Sequence, residues 1–214
     1  MPLYKTITVN PSTKVLIWKI EESFDWLSEG IELTSNCRQR VDGMKSDLHR
    51  RGFMSIRHLL AAEGYTDRDL FYDGNGKPHL KDDKKISITH SFIFSAIIIS
   101  DSEVGIDIEK QRSKILKIAH KFTPIEEYRT LANDDAIMRK LTMVWGAKES
   151  LFKSFAKPGL SFLQHIYVED FRLEDLTTTA TVSFGDAEER YNVKFVEFEE
   201  FTCAYALLDN SVNE

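Results

Sequence analysis

The stretch Val104-Gly105-Ile106-Asp107-Ile108-Glu109 narrows the possible folds more than any other part of the chain. A strand sends successive side chains to opposite faces, so Asp107 and Glu109 share one face while Ile106 and Ile108 share the other. Two carboxylates side by side repel unless a cation lies between them, and hard oxygen ligands suit Mg²⁺ or a related ion. An amphipathic strand with an acidic, solvated face would satisfy the same alternation.

At 214 residues the chain can bury one large core or two small ones. Its 28 Lys and Arg against 34 Asp and Glu leave a formal net charge of -6. That balance provides no overall field to draw the phosphates of nucleic acid, so no nucleic-acid partner is expected. Cys37 and Cys203 lie far apart and outside any CxxC pattern. This usage fits a reducing compartment, with neither a disulfide framework nor a zinc site. The first 18 residues alternate polar and apolar and lack the apolar core of a signal peptide. The most apolar run, Phe92 to Ile99, is too short to span a bilayer and rich in β-branched residues. It reads as a buried strand of a cytoplasmic protein with no membrane partner.

Taken in order, Lys14 to Ile20 reads as a strand and Ser23 to Gly30 as a short helix or turn. Between Ser35 and Ala62 the second half is helical, with Met54, Ile56, Leu59 and Leu60 near helical spacing and Gly64 past the end. Arg38, Arg40, Arg50, Arg51 and Arg57 crowd this region, as a solvated face or as phosphate ligands. Phe71 to Leu80 is a tight turn between two extended pieces. Gly74 and Gly76 permit positive φ there and Pro78 fixes the exit, which puts Lys77 on a rigid backbone. The third glycine of a dinucleotide fingerprint is missing. Ile86 to Ser91 leads into an apolar strand, Phe92 to Ser100. Thr89, His90 and Ser91 supply hydroxyl and imidazole donors at a strand edge, a combination suited to phosphate. The other histidines (49, 58, 79, 120 and 165) are scattered and form no HExxH, so histidine ligation of a metal is not expected.

Beyond Glu109, Ser113 to Phe122 reads as a helix with an apolar stripe of Ile115, Leu116, Ile118, Ala119 and Phe122. Lys114, Lys117 and Lys121 stack on another face, so an acidic chain carries one basic helix beside its acidic pair. A helix start is expected at Thr123-Pro124-Ile125-Glu126-Glu127. A long helix follows from about Asp134 to Ala156, stopped by Pro158 and Gly159, with Leu141, Val144, Ala147, Leu151 and Phe155 facing the core. Trp145, Glu149 and Lys153 recur every four residues on a neighbouring face. As a mere surface pair, Glu149 and Lys153 would contribute roughly 0.3 kcal/mol. Phe162–Val168, Thr177–Phe184, Tyr191–Phe198 and Phe201–Leu208 read as strands, with a turn at Asp186-Ala187-Glu188.

Four motifs in this order, Gly76-Lys77-Pro78, Thr89-His90-Ser91, Gly105 to Glu109 and Trp145 to Lys153, resemble the 4′-phosphopantetheinyl transferases. The resemblance is strongest to the long, monomeric, surfactin-synthetase-activating (Sfp) type and covers nearly the whole chain. It implies an α+β fold: a pseudo-twofold pair of similar α/β subdomains, 1–102 and 103–214, each a small antiparallel sheet packed by a long helix. Coenzyme A would lie between them. The implied reaction moves the 4′-phosphopantetheine arm of coenzyme A to a serine of an apo acyl or peptidyl carrier protein, releasing 3′,5′-ADP. Such chemistry mainly needs positioning and charge neutralisation.

By the same resemblance, Asp107, Glu109 and Glu149 would hold Mg²⁺, or Mn²⁺, against the pyrophosphate. Glu149 would take the serine proton, directly or through a water, and Lys153 would meet the diphosphate. Lys77 and Pro78 would line the adenine and phosphate end, and His90 with Thr89 and Ser91 would bind phosphates. Arg57, with Arg51, resembles the arginine that reads the 3′-phosphate. Thr89 stands where the family usually has serine, keeping the hydroxyl. Lys148 is expected in a structural ion pair. Carriers in such systems are acidic, so Arg112, Lys114, Lys117 and Lys121 are expected to form a docking surface. A different metal-dependent phosphoryl enzyme would not need the Gly-Lys-Pro and Thr-His-Ser elements. A non-catalytic module binding coenzyme A or carrier would have lost a metal ligand or the helix lysine, and all four are retained.

Overall fold

A computed structural model of the chain describes residues 3–124, 131 and 133–209. It has an α+β architecture, with helices on antiparallel sheets, in two compact units, Met1–Asp101 and Ser102–Glu214.

In the first unit β1 (Leu3–Asn10) and β2 (Thr13–Lys19) form a hairpin that leads to α1 (Phe24–Ser28), α2 (Ser35–Asp42) and α3 (Asp47–Ala62). A small ribbon follows, β3 (Leu70–Tyr72) with β4 (Pro78–Leu80), then β5 (Lys85–Ser91) and β6 (Phe94–Ser100). The main sheet has the order β1-β2-β6-β5, with every pairing antiparallel. Helix α3 starts where the Ser46 hydroxyl accepts from the His49 N–H, and it ends before Gly64 at φ +84. Its apolar face packs Met54, Ile56, Leu59 and Leu60 with Leu16, Trp18, Ile97 and Ile99 of the sheet.

One strand boundary differs from the sequence reading. The Ser91–Phe94 pairing closes a two-residue hairpin at Phe92-Ile93, both exposed, so the apolar strand begins at Phe94. Phe92 takes φ +51, a backbone region that a bulky side chain rarely adopts. Hydrophobicity marks the segment but does not reveal where the chain reverses.

Arg57 turns inward. Its Nε donates to Asp67 Oδ1 at 2.9 Å, its Nη1 to the Phe53 carbonyl, and its Nη2 lies 3.3 Å from Cys37 Sγ. Burial opposes ionisation of Asp67, but the Thr34 N–H and hydroxyl and the Arg57 guanidinium hold its carboxyl below the usual range. Asp67→Ala should therefore leave a buried, uncompensated guanidinium and cost about 3 kcal/mol, seen as a lower denaturation midpoint. An unchanged midpoint would show that Arg57 finds another partner.

The second unit opens with β7 (Val104–Lys110), then α4 (Lys114–Ile118), a 3₁₀ turn (Ala119–Lys121) and α5 (Asp134–Phe155). Strands β8 (Ile166–Val168), β9 (Thr177–Phe184), β10 (Ala187–Phe198) and β11 (Phe201–Leu208) complete it. The sheet order is β7-β11-β10-β9-β8, again antiparallel throughout. Helix α5 starts on the Asn133 side chain, which accepts from the Ala136 N–H at 2.9 Å. All five residues of its expected core stripe are buried.

Three sequence expectations are corrected in this unit. The basic helix is only five residues long before it tightens into the 3₁₀ turn, and Leu116 is exposed rather than part of the apolar stripe. Strand β8 keeps only Ile166–Val168 of the expected run from Phe162. The hairpin between β9 and β10 pairs Phe184 with Ala187, so it turns at Gly185-Asp186, with Gly185 at φ +62. Residues 125–127 of the expected helix start lie outside the described residues. Among the described residues, no helix is long and apolar enough to cross a membrane.

Candidate functional site

The face of β7 that carries Asp107 and Glu109 is the face covered by α5. Gly105, on the same side, meets the helix so closely that a Cβ there would lie 1.8 Å from the Ser150 carbonyl oxygen. Lys153 Nζ donates to Asp107 Oδ1 at 2.7 Å and to the Ile106 carbonyl at 3.0 Å. The Trp145 indole N–H donates to Glu109 Oε1 at 3.3 Å. The helix row Trp145, Glu149, Lys153 thus lies along the carboxylate row of the strand. Asp107 is 5% exposed, which removes the reading of a solvated acidic face.

Burying like charges together has a visible electrostatic consequence. Burial, then the charge of Asp107, pushes Glu109 above the usual carboxylate range, against the Trp145 hydrogen bond and the nearby Arg112 and Lys153. Glu149 is pushed up to about 7, first by burial and then by Asp107, with Lys153 opposing and Glu109 adding. A carboxyl near neutrality can hold or release a proton at physiological pH.

The donor set fits a hard divalent cation. Asp107, Glu109 and Glu149 present only carboxylate oxygens, and their mutual repulsion is what such an ion relieves. Among the described residues, no three His, Cys, Asp or Glu side chains are already gathered around one point. Lys153 instead supplies positive charge at Asp107 Oδ1.

Lys148, one position before Glu149, is structural, through a set of contacts that the sequence does not reveal. Its ammonium donates to the backbone carbonyls of Phe122, Phe162 and Ile166. These bonds fix α5 to the chain segments around it. Trp145 is held in the same way by rings, 5.1 Å from Phe122 and 5.3 Å from Phe162.

Of the residues expected to bind coenzyme A, the first unit brings His90 and Arg57 to one pocket of about 230 Å³. Arg40, Met44, His49 and Tyr72 join them in its wall. Arg57 reaches this wall with its guanidinium already engaged by Asp67. Arg40 is exposed, its guanidinium 5.4 Å from the Tyr72 ring and 5.8 Å from the Phe53 ring. Sequence reasoning missed Arg40 and His49 as pocket residues. Arg40 was visible only as one of a crowd of arginines, and nothing local distinguishes His49.

Strand alternation separates the Thr-His-Ser triplet. His90 shares a face with Ile88 and borders the pocket, whereas Thr89 and Ser91 point to the other side of β5. Arg51 is absent from the lining of this pocket; its Nε lies 2.9 Å from Asp47 and its Nη1 donates to the Glu22 carbonyl. Lys77 sits in the turn joining β3 to β4, where Asp73 Oδ1 accepts from its N–H at 3.0 Å and Asp73 Oδ2 meets His79 Nε2 at 3.2 Å. That His79 contact, followed by the turn N–H groups, holds the Asp73 carboxyl below its usual range. Pro78, half-buried, begins β4.

Of the expected basic surface, Arg112 and Lys114 border a shallow groove with Glu109, Ile115, Ile118 and Trp145. Lys117 and Lys121 are exposed nearby on α4 and the 3₁₀ turn and do not line it.

Known proteins resemble this chain in sequence. Residues 103–206 match the 4′-phosphopantetheinyl transferase superfamily. The 4′-phosphopantetheinyl transferase gsp of Aneurinibacillus migulanus is 28% identical over 161 residues, 73% of this chain and 66% of that protein. Sfp of Bacillus subtilis (strain 168) is 30% identical over 139 residues, 61% of each chain. The psf-1 transferase of Bacillus pumilus is 31% identical over 119 residues, 52% of this chain and 50% of that protein. The chain thus spans between half and about two thirds of the length of these relatives. The matched region contains both the acidic strand and the helix laid along it, and over that region the chain is similar to the 4′-phosphopantetheinyl transferase superfamily.

Proposed function

We propose that this chain transfers the 4′-phosphopantetheine arm of coenzyme A to a serine of an apo acyl or peptidyl carrier protein. The observation that carries this reading is the lining-up of Asp107 and Glu109 on β7 with Glu149 and Lys153 on α5. The serine oxygen would bond to the phosphorus that bears the pantetheine arm, as the bond to the departing 3′,5′-ADP breaks. A divalent cation, Mg²⁺ or Mn²⁺, held by Asp107, Glu109 and Glu149 would draw charge from the pyrophosphate.

The chain's own groups supply the rest. Glu149, near neutrality in its buried setting, accepts the serine proton. Lys153 exchanges Asp107 for a diphosphate oxygen and stabilises the leaving charge. His90, with Arg40 and His49, meets the adenosine and 3′-phosphate end in the pocket of the first unit. Arg57 supports that pocket from behind, since its donors are already engaged. Thr89 and Ser91, on the opposite strand face, meet a different part of coenzyme A, while Lys77 and Pro78 border its adenine. Every residue used belongs to one chain, so a monomer suffices, and the free Cys37 and Cys203 support a cytoplasmic setting.

Intact mass of an apo carrier after incubation with this protein, coenzyme A and Mg²⁺ tests the proposal. A gain of one phosphopantetheine arm, abolished by EDTA, is expected. Binding of coenzyme A without transfer to fatty-acid, polyketide or nonribosomal-peptide carriers would favour the non-catalytic module instead.

Arg112, Lys114, Lys117 and Lys121 are assigned to carrier docking, because Arg112 and Lys114 place exposed positive charge in the groove with Glu109, and the exposed Lys117 and Lys121 follow them in the chain. Reversing Lys117 and Lys121 to glutamate should raise the carrier KM about tenfold and flatten its salt dependence, with kcat little changed. Unaltered kinetics would remove these two lysines from the docking surface.

A further inference from the structure

We propose that Gly52 is a positioning residue for His90: its missing side chain is the seat in which the imidazole rests. This proposal rests on the reading of His90 as a coenzyme A ligand, and it concerns how the fold orients that ring. Glycine inside a helix is disfavoured against alanine by roughly 1 kcal/mol. Gly52 nevertheless lies in the middle of α3, between Arg51 and Phe53. A Cβ built there would stand 2.7 Å from His90 Cδ2, 3.4 Å from Cγ and 3.5 Å from Nε2. The first distance is well inside van der Waals contact, and the atoms met belong to the ring, not to backbone. The ring therefore lies flush on the helix only because residue 52 carries no side chain.

The surrounding groups make this seat relevant to a ligand. One helical turn earlier, His49 meets His90 edge-on, with ring centroids 5.8 Å apart and planes at 80°. Both rings, Gly52 itself, Arg40 and Arg57 line the same pocket. Helix α3 thus sets the direction of the His90 nitrogens from below, while His49 limits rotation from the side. His90 is exposed on its remaining side, so added bulk at position 52 has an outlet: the ring rotates outward and the helix stays.

That outlet separates a positioning role from a purely structural one. Gly52→Ala should keep or raise the denaturation midpoint, because alanine is the better helix former. The imidazole ¹H and ¹⁵N resonances of His90 should shift in this variant. The coenzyme A Kd measured by calorimetry should rise about tenfold, the loss expected for one hydrogen bond to a charged group. In a His90→Ala background the same Gly52→Ala change should have no further effect on Kd, since there is no ring left to displace.

Unmoved His90 resonances, or an equal loss of affinity in both backgrounds, would overturn the proposal. Failure of the wild-type chain to bind coenzyme A would overturn the functional reading beneath it. The ring resonances tell that failure apart from failure of the seat.

Discussion

Glu149→Gln is expected to lower carrier modification by at least about 1,000-fold, because in the proposed mechanism it removes a proton acceptor and a cation ligand together. The fold should survive, since glutamine keeps the size of the side chain and relieves a crowded set of negative charges. Wild-type turnover in this variant would exclude Glu149 from the mechanism.

The same substitution has a thermodynamic signature that needs no activity assay. Burial, with Asp107 next, raises the folded-state carboxyl of Glu149 to about 7 from an ordinary 4.5. The folded state therefore binds this proton more tightly than the unfolded chain does. The associated stability is fully present below the ordinary pKa and is lost as pH rises through the folded value. Glu109, also raised, has the same sign. In EDTA the melting temperature of the wild type should fall between about pH 5 and 8, and in Glu149→Gln the fall should be shallower. Mg²⁺ added at the upper end should restore part of the loss in the wild type, because it replaces the proton. Equal slopes in the two proteins would mean that Glu149 titrates normally.

Gly105→Ala should abolish folding of the second unit. The added Cβ would fall 1.8 Å from the Ser150 carbonyl oxygen, 2.7 Å from its carbon and 3.2 Å from its Cα, all backbone atoms of α5. The helix cannot retreat cheaply. Ala147 and Leu151 are packed in the core beneath it, and Lys148 ties it to three carbonyls. A cost above about 5 kcal/mol is expected, comparable to the whole stability of a domain. Circular dichroism and limited proteolysis would report it as loss of a cooperative transition. Gly146→Ala is the control: its Cβ would meet only the Ala204 methyl at 3.1 Å, a contact that small shifts relieve. A Gly105→Ala protein as stable as this control would mean that α5 does not approach β7 so closely.

These two glycines illustrate how unevenly the site is legible. Alternation along 104–109 gave the strand, its two carboxylates and their common face, because strand geometry is local. The spacing of Trp145, Glu149 and Lys153 gave the helix row for the same reason. Neither pattern contained the fact that the two rows face each other, since that depends on how α5 packs on β7. Gly105 read as an ordinary member of a motif until its contact with Ser150 was visible.

The residues proposed to meet coenzyme A divide in the same way. Lys77 and Pro78 were placed by turn chemistry, with Asp73 as the local organiser. Arg57 was grouped with the other arginines, yet it ends in a buried pair with Asp67, a partner ten residues away whose contact exists only after folding. Arg40 and His49 become pocket residues only because folding brings α2, α3, β3 and β5 together, with Arg40 near the Tyr72 ring and His49 against the His90 ring. The Thr-His-Ser triplet reads as one set of phosphate donors, but an extended backbone splits it across two faces.

By itself, then, the sequence determined the elements, the alternation and the chemical inventory of the site, because hydrophobic period, turn chemistry and capping act over a few residues. Only the tertiary structure decided which carboxylates are buried, which arginine is already paired and which glycine must stay bare. Burial, charge coupling and close approach are properties of surfaces that meet, and the chain order does not contain those meetings.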